Sequence, residues 1–427
     1  MRRLKASVPV SHLVGMPRRV SARALRHHPW VMVWTMAVAQ VISWGTLFYA
    51  FSLFVVPMQE SLGWSRSLLN GALSLGLLST GVVAFPVGAW IDRHGGRGVM
   101  TLGSLVGGLL LLAWAQVETP WAFYVIWVLI GASMAGVLYE PAFAVITAVF
   151  GADARRGITA LTLVGGFAST VFMPLTQLLI AALGWRHALL ILGGLNLVVC
   201  LPLHALCVPG HTASRAPVVP PEAPETASNA QEIRTILRGR VFWGLVLWFT
   251  AYSAAQSALI FQFVPLLTTW GVEMAAILTS VAIFGPMQVA GRVVLMLFST
   301  RLGTREIGTA VIMLLPAALL ILLILPHKLL WLCLFATLYG AGNGIMTIAR
   351  GTAVADLIGR ANYGAINGAL TIPYTVAKAV APVAAATIWS ATGDPSVMLW
   401  TILGTALVGT VGFVVALSSS KRGSGRL

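Results

Sequence analysis

Long apolar stretches recur along the whole chain, and short polar segments separate them. Each stretch holds about 20 residues, enough for a helix to cross the ~30 Å hydrocarbon core of a bilayer. Twelve such stretches lie near residues 30–58, 66–91, 98–117, 121–149, 157–182, 187–207, 241–269, 273–298, 307–325, 329–350, 364–391 and 397–417. Because lipid offers no partner to unpaired backbone groups, the pattern predicts an all-α membrane protein with twelve transmembrane helices.

The longest polar connection lies in the middle of the chain. It holds several prolines among mixed charges, a composition that resists packing into a core. It separates six predicted spans from six others. The predicted organisation is a basic N-terminal tail 1–29, a first six-helix bundle 30–207, a linker 208–240, a second six-helix bundle 241–417 and a C-terminal tail 418–427.

The two predicted bundles repeat each other in sequence. One constant offset superposes Pro57 on Pro265, Gly63 on Gly271, Arg93 on Arg301, Gly95 on Gly303 and Arg97 on Arg305. A nearly identical offset superposes Gly157 on Gly364. Two pseudo-symmetric halves are typical of secondary transporters, in which the substrate site lies near the bilayer midplane between the repeats.

The composition and the distribution of charge fit a membrane protein. Hydrophobic residues make up 58% of the chain and charged residues 9%, whereas soluble domains carry about 25% charged residues. The net charge of +15 could indicate a nucleic-acid partner, but no nucleic-acid-binding motif accompanies it. Most of the 27 lysines and arginines fall on the side of both termini, and Arg350 and Arg360 are assigned there to the connection of the tenth and eleventh spans. The positive-inside rule therefore places both termini in the cytoplasm, and we expect the bacterial cytoplasmic (inner) membrane.

The sequence offers no pattern for a metal, a cofactor or a catalytic reaction. The three cysteines, Cys200, Cys207 and Cys333, lie inside apolar stretches without ligand spacing. A nucleophile–base set is also missing from the motifs. We therefore predict neither a metal site nor a cofactor, and no enzymatic activity.

The connection after the second span carries a recognisable motif. It reads Gly88-Ala-Trp-Ile-Asp92-Arg93-His-Gly-Gly-Arg97. Gly88 permits the close approach of another helix, and Asp92 can meet a cation or a helix N-terminus. The segment matches the pattern GxxxDRxGxR, by which the chain resembles the major facilitator superfamily. The resemblance implies the major facilitator fold and a cytoplasmic latch of Gly88, Asp92, Arg93 and Arg97 that opens and closes during transport; a topology signal without a gating role is the alternative.

The corresponding connection of the second half departs from this motif. Thr300 stands where Asp92 stands in the first half, and Met296 stands in place of Gly88. We therefore expect the latch on the first half and no equivalent on the second.

Two cations lie near the middle of predicted spans, Arg292 in the eighth and Lys378 in the eleventh. A charge at the bilayer centre costs at least ~2.5–3.5 kcal/mol on insertion scales. The predicted spans of the second half contain no Asp or Glu that could pair with them. We therefore expect both cations to face a shared aqueous cavity, where they would attract a carboxylate.

The segments around these cations resemble a branch of the superfamily, the oxalate/formate antiporters and monocarboxylate transporters. The resemblance rests on Gly291-Arg292, on Tyr374-Thr-Val-Ala-Lys378 and on Gly63-Trp64-Ser65. It implies that Arg292 and Lys378 contact a substrate carboxylate. Tyr374, one helical turn from Lys378, is a candidate wall of the cavity. The alternative for Arg292 is structural, as a brace of the gate or a donor to backbone carbonyls.

Glu140 is the one acid that lies clearly inside a predicted span, the fourth. An intramembrane carboxylate suggests a proton relay and hence a coupling role. It could instead neutralise Arg292 or Lys378 across the cavity, bond locally, or pair with loop arginines.

These observations favour a secondary active transporter of a small organic anion, a carboxylate, by alternating access. Efflux of an amphipathic drug-like or toxic compound is the alternative, although the RxxQG pattern of proton-linked drug antiporters is missing from the fourth span. A non-transporting membrane sensor is a minor alternative. The expected partners are an anionic small molecule and the lipid bilayer, without nucleic acid; the oligomeric state stays open, with a monomer as one option.

Overall fold

The computed structural model of the protein describes residues 29–210, 225–298 and 302–423. Every regular element within these ranges is a helix. Most of the predicted N-terminal tail, the end of the C-terminal tail, the proline-rich part of the linker, and Thr300 and Arg301 lie outside the described residues.

Within the described residues twelve helical spans follow one another, as the sequence predicts. Eleven apolar stretches in these ranges are long enough to cross a bilayer, and one of them, Pro120–Leu183, folds back on itself to make two spans. In chain order the spans are Pro29–Leu62, Arg66–His94, Arg97–Trp114, Pro120–Val137 with Tyr139–Phe150, Ala154–Gly165 with Ala168–Leu183, Trp185–Cys207, Arg240–Thr269, Met274–Leu297, Thr304–Ile324, Leu329–Leu357, Tyr363–Thr392 and Pro395–Gly423. We call the side on which the first span begins and the twelfth ends the tail side, and the opposite side the far side.

The structure extends two of the predicted spans by about two turns at their tail-side ends and adds a helix to the predicted linker. The tenth span continues two turns beyond Arg350 to Leu357, and the twelfth continues into the predicted tail as far as Gly423. The predicted linker also contains a helix, Glu225–Arg238, whose Glu232 accepts a hydrogen bond of 3.1 Å from Asn362 before the eleventh span. The linker is therefore only partly irregular.

The buried cores show where the two bundles meet. One hydrophobic cluster lies on the far side of the first bundle alone and centres on Trp114 and Trp127, whose rings are 5.1 Å apart. A second cluster joins tail-side residues of the first bundle, such as Phe143 and Ile158, to the core of the second bundle. The hydrophobic packing between the bundles is thus concentrated on the tail side.

The fourth span is interrupted at Leu138, where the backbone is extended. Pro141 explains the break, because proline has no N–H to donate to the carbonyl four residues earlier, that of Val137. The side-chain amide of Gln40 in the first span replaces this donor, 2.7 Å from the Val137 oxygen and 3.2 Å from that of Leu138. The break places Glu140 in the first turn of the tail-side segment.

Candidate functional site

Asp92 joins the two bundles at the end of the second span. Its carboxylate accepts hydrogen bonds from the backbone N–H groups of Gly364, at 2.9 Å, and Ala365, at 2.8 Å. These amides belong to the first turn of the eleventh span, where helical N–H groups have no partner within the helix and attract negative charge. Gly88 touches the same turn, and a Cβ added there would overlap the Gly364 carbonyl.

The two arginines of the predicted latch occupy different surroundings. Arg97 donates from Nε to the carbonyl of Val208 at 2.7 Å, within the first bundle and at the start of the linker. Arg93 is exposed on the tail side. Gly88 and Asp92 are thus the two motif residues seen at the contact between the bundles, and the gating role of all four stays a prediction.

Arg155 makes a second contact between the bundles, which sequence reasoning missed. It lies in the first turn of the fifth span, and its Nη2 is 2.7 Å from Asp356 and 3.0 Å from the hydroxyl of Thr304. Its Nη1 donates to the carbonyl of Leu302, and Thr304 also bonds to Asp356. The arginine thereby binds the fifth span to the connection before the ninth span and to the ends of the ninth and tenth spans.

The position of Arg155 mirrors that of the Asp92 contact. The offset that superposes Gly157 on Gly364 places the first turn of the fifth span over that of the eleventh. The charge is reversed, because a cation on the fifth span meets a carbonyl and an acid of the second bundle. The sequence predicts no equivalent of the Asp92 latch on the second half, since Thr300 replaces Asp92. The charge that makes the contact seen here lies instead on the fifth span, at Arg155.

Arg292 is nearly completely buried, with 5% of its surface exposed. Its Nη1 donates to the carbonyl of Thr162 in the first bundle at 2.8 Å. The fifth span bends here, and Gly166 makes room, because a Cβ at this position would overlap the guanidinium. Nε of Arg292 has no hydrogen-bond partner among the described residues. In this conformation Arg292 therefore binds a backbone carbonyl, as in its structural alternative.

Lys378 lies in the eleventh span and is partly buried. Its Nζ is 5.7 Å from the centre of the Phe48 ring of the first span, a cation–π distance between the bundles. The Tyr49 phenol is within electrostatic reach of Lys378, Arg292 and Tyr374. The two predicted substrate cations therefore border the same region, which Tyr49 and Phe48 close from the first bundle.

Glu140 forms an ion pair with Arg350, which lies inside the tenth span. Both side chains are mostly buried and keep 15% and 13% of their surface exposed, respectively. The guanidinium carbon of Arg350 lies 4.5 Å from the centre of the Tyr374 ring, so the cation stacks on this aromatic face. The pair bridges the fourth span of the first bundle and the tenth span of the second.

This pair corrects one interpretation of the sequence. The sequence prediction places Arg350 in a tail-side connection, because an arginine at the end of an apolar stretch usually marks a boundary. The helix continues to Leu357, which leaves Arg350 within the span. Of the partners considered for Glu140, neither Arg292 nor Lys378 is the one that it contacts here.

The resulting arrangement is a cationic region between the bundles. Arg292, Arg350 and Lys378 carry three positive charges, and Glu140 carries one negative charge. Tyr374 lies between Arg350 and Lys378, one turn or ~6 Å along the helix from the lysine. Such an excess of positive charge in a site of low dielectric attracts anions. Within the described ranges, no group of three His, Cys, Asp or Glu could hold a metal ion.

Comparison with known sequences identifies relatives named as transporters. The family model of the Major Facilitator Superfamily matches residues 33–382. The uncharacterized MFS-type transporter YcxA of Bacillus subtilis is 25% identical over 312 residues, which make up 68% of this chain and 71% of that protein. Monocarboxylate transporter 12 of Xenopus laevis is 28% identical over 176 residues, covering 40% of this chain and 35% of that protein.

Solved structures show the same fold. The crystal structure of FucP, a fucose:proton symporter of E. coli captured in its outward conformation, superposes with a TM-score of 0.72. The alignment covers 92% of this chain and 99% of FucP at 15% sequence identity. The agreement at this low identity concerns the arrangement of the helices.

Proposed function

Because the chain belongs to the major facilitator superfamily, we propose that it is a secondary active transporter of a small organic anion, a carboxylate. The observation that carries this proposal is the excess of cations over acids between the bundles, near the level where such transporters bind substrate. The partial match to a monocarboxylate transporter supports the same class of substrate.

Lys378 is the proposed primary contact of the substrate. It keeps accessible surface, and its ammonium group can form charge-assisted hydrogen bonds to a carboxylate. Tyr374 and Phe48 flank it with aromatic rings that would pack against the carbon skeleton of the substrate. Arg292 would join the site once its bond to the Thr162 carbonyl breaks.

The proposed mechanism is alternating access between the two bundles. The bridges made by Asp92, Arg155, Arg292 and Arg350 all lie in the tail-side half of the spans. Opening of the tail side requires these contacts to break, which gives Gly88, Asp92, Arg93 and Arg97 their proposed role as part of a latch. With the tail side in the cytoplasm, this conformation would receive substrate from outside the cell.

The test is transport by the purified protein in proteoliposomes, with radiolabelled lactate, pyruvate and oxalate as probes. Lys378→Ala is expected to lower uptake about tenfold or more, since a hydrogen bond to a charged group contributes about 1.5–3 kcal/mol. Lys328→Ala is the matched control, because Lys328 is exposed in a far-side connection. Wild-type protein that carries none of a broad panel of carboxylates, or a Lys378→Ala variant that transports normally, would refute the proposal.

A second candidate function is the efflux of an amphipathic compound. Arg292 donates to a backbone carbonyl and Arg350 pairs with Glu140 in this conformation, while Lys378 keeps accessible surface beside aromatic rings. Cells that lack the protein would then become sensitive to the exported compound, and carboxylates would not compete with it. A carboxylate that competes for transport favours the first function.

A further inference from the structure

The Glu140–Arg350 ion pair has a position that a purely structural pair does not need. It joins the two bundles near the closed tail side, and its Arg350 guanidinium stacks on the ring of Tyr374, which lies one helical turn from Lys378. Both side chains retain some accessible surface. The pair therefore lies at the inner end of the proposed substrate site.

Opening of the tail side moves Glu140 and Arg350 apart, because they belong to different bundles. A mostly buried ion pair that loses one partner is strongly destabilised, since each charge is left without compensation. In the absence of substrate, the pair therefore favours the conformation closed on the tail side.

A substrate carboxylate can replace that of Glu140 on the guanidinium, because arginine binds carboxylates through two parallel hydrogen bonds. Anion binding alone leaves Glu140 charged and unpaired, which again opposes opening. Transfer of one proton from the open side to the Glu140 carboxylate removes that charge. With both an anion and a proton bound, neither side chain carries an uncompensated charge when the bundles separate.

We propose that Arg350 is a third substrate-binding cation and that Glu140 occupies it in the empty transporter, so that one proton accompanies each carboxylate. This inference rests on the proposed function and specifies its coupling as symport with protons. The binding site then extends from Lys378 past Tyr374 to Arg350, and Glu140 is the group that carries the proton.

The groups around the pair allow Glu140 this role. Tyr139 on the fourth span, Tyr363 and Tyr374 on the eleventh, and Arg350 on the tenth lie within electrostatic reach of its carboxylate. Tyrosine and arginine ordinarily titrate near 10 and above 12. Arg292, beside Tyr139, and Lys378, beside Tyr374, complete the set of charged groups. Glu140 is the carboxylate of this set and the group to which we assign the proton.

The experiment compares Glu140→Gln with wild-type protein in proteoliposomes, with labelled lactate, pyruvate and oxalate as probes. Wild-type uptake is expected to rise with an inward proton gradient, and an internal pH dye should record proton entry with the anion. In Glu140→Gln, the rate of gradient-driven uptake should fall about tenfold, while exchange of labelled for unlabelled anion across the membrane continues. Glu118→Gln is the control, because Glu118 is exposed in a far-side connection.

Arg350 is tested by the conservative change Arg350→Lys, which keeps the charge and removes the paired hydrogen bonds. We expect KM for the carboxylate to rise about tenfold with a smaller change in the maximal rate. A merely structural arginine would instead reduce the amount of folded protein and leave KM unchanged. Arg360→Lys on the exposed tail-side connection serves as the control.

The outcomes separate this inference from the proposed function. If wild-type protein carries carboxylates and depends on Lys378, but Glu140→Gln keeps the full gradient response, the inference is overturned and the proposed function stands. If wild-type protein carries no carboxylate, both fail.

The double variant Glu140→Gln/Arg350→Gln covers the case in which Glu140→Gln does not fold, because it removes both charges. It should insert into the membrane and lose gradient-driven uptake. Gradient-driven uptake at the wild-type rate would overturn the inference.

Discussion

Replacement of Asp92 by asparagine is expected to open the tail side of the transporter more often. The carboxylate accepts bonds from the Gly364 and Ala365 amides across the contact between the bundles. Asparagine keeps one acceptor oxygen, turns an NH₂ group toward the second amide, and removes the negative charge from a helix N-terminus. A hydrogen bond to a charged group contributes about 1.5–3 kcal/mol. Since Asp92 retains access to solvent, we expect the lower figure, which corresponds to roughly a tenfold larger open population.

The opening can be measured with a cysteine that is buried only while the tail side is closed. Ile158 is fully buried and packs against Gly351 of the other bundle, so Ile158→Cys provides such a probe. The native cysteines, Cys200, Cys207 and Cys333, are first replaced by alanine. In nanodiscs, the rate of alkylation by a hydrophilic maleimide then reports the fraction of open molecules, and Asp92→Asn should raise it about tenfold.

Asp153→Asn is the matched control for this experiment. Asp153 lies on the same side of the membrane and pairs with Arg156 at 3.7 Å, but both residues are exposed members of the first bundle. Its substitution should leave the alkylation rate unchanged. The reasoning fails if Asp92→Asn reacts at the wild-type rate, or if Asp153→Asn accelerates the reaction to the same extent.

Two further substitutions probe the same contact surface. Arg155→Gln should raise the alkylation rate of the same buried cysteine, since Arg155 bridges to the second bundle, while Arg156→Gln should not, because Arg156 pairs within its own bundle. Equal rates for the two variants would contradict a latch at Arg155. Gly88→Ala should destabilise the closed conformation by about 1–3 kcal/mol through overpacking, since the new methyl group would overlap the Gly364 carbonyl. The measurement is the melting temperature, and Gly98→Ala is the control because its new methyl group meets open space. Gly98→Ala should keep the wild-type melting temperature, and a Gly88→Ala variant that also kept it would contradict the close approach of Gly88 to the eleventh span.

The sequence was sufficient for the fold because hydrocarbon thickness imposes a simple rule. Spans of about 20 apolar residues must be helical, and the twelve predicted spans match those observed. The rule fails at boundaries, where it treats a charged residue as the end of a span. The rule misplaces Arg350 for that reason. Its helix continues beyond it, because Glu140 of the fourth span and the Tyr374 ring of the eleventh compensate its charge.

The partners within the site could not be derived from the sequence. Glu140 and Arg350 are 210 residues apart, and their contact depends on how the two bundles are placed and on the break at Leu138. The sequence correctly indicated that Glu140 lies inside a span, but three cations were available to it in principle. Packing between the bundles decides which one it meets.

The Asp92 and Arg155 contacts on the tail side show that the two halves of a duplicated fold can make equivalent contacts with charges of opposite sign. At one contact, the acid Asp92 on the second span accepts hydrogen bonds from backbone N–H groups of the eleventh span. At the other, the cation Arg155 on the fifth span donates to the carbonyl of Leu302 and pairs with Asp356. Both solutions use groups that a helix or connection leaves unsatisfied at its end. A motif search that follows residue type finds the Asp92 contact and misses the Arg155 contact, since the charge lies on the fifth span and not at the end of the eighth. The repeated element is therefore the position at which the bundles touch, and a charge of either sign makes the contact there.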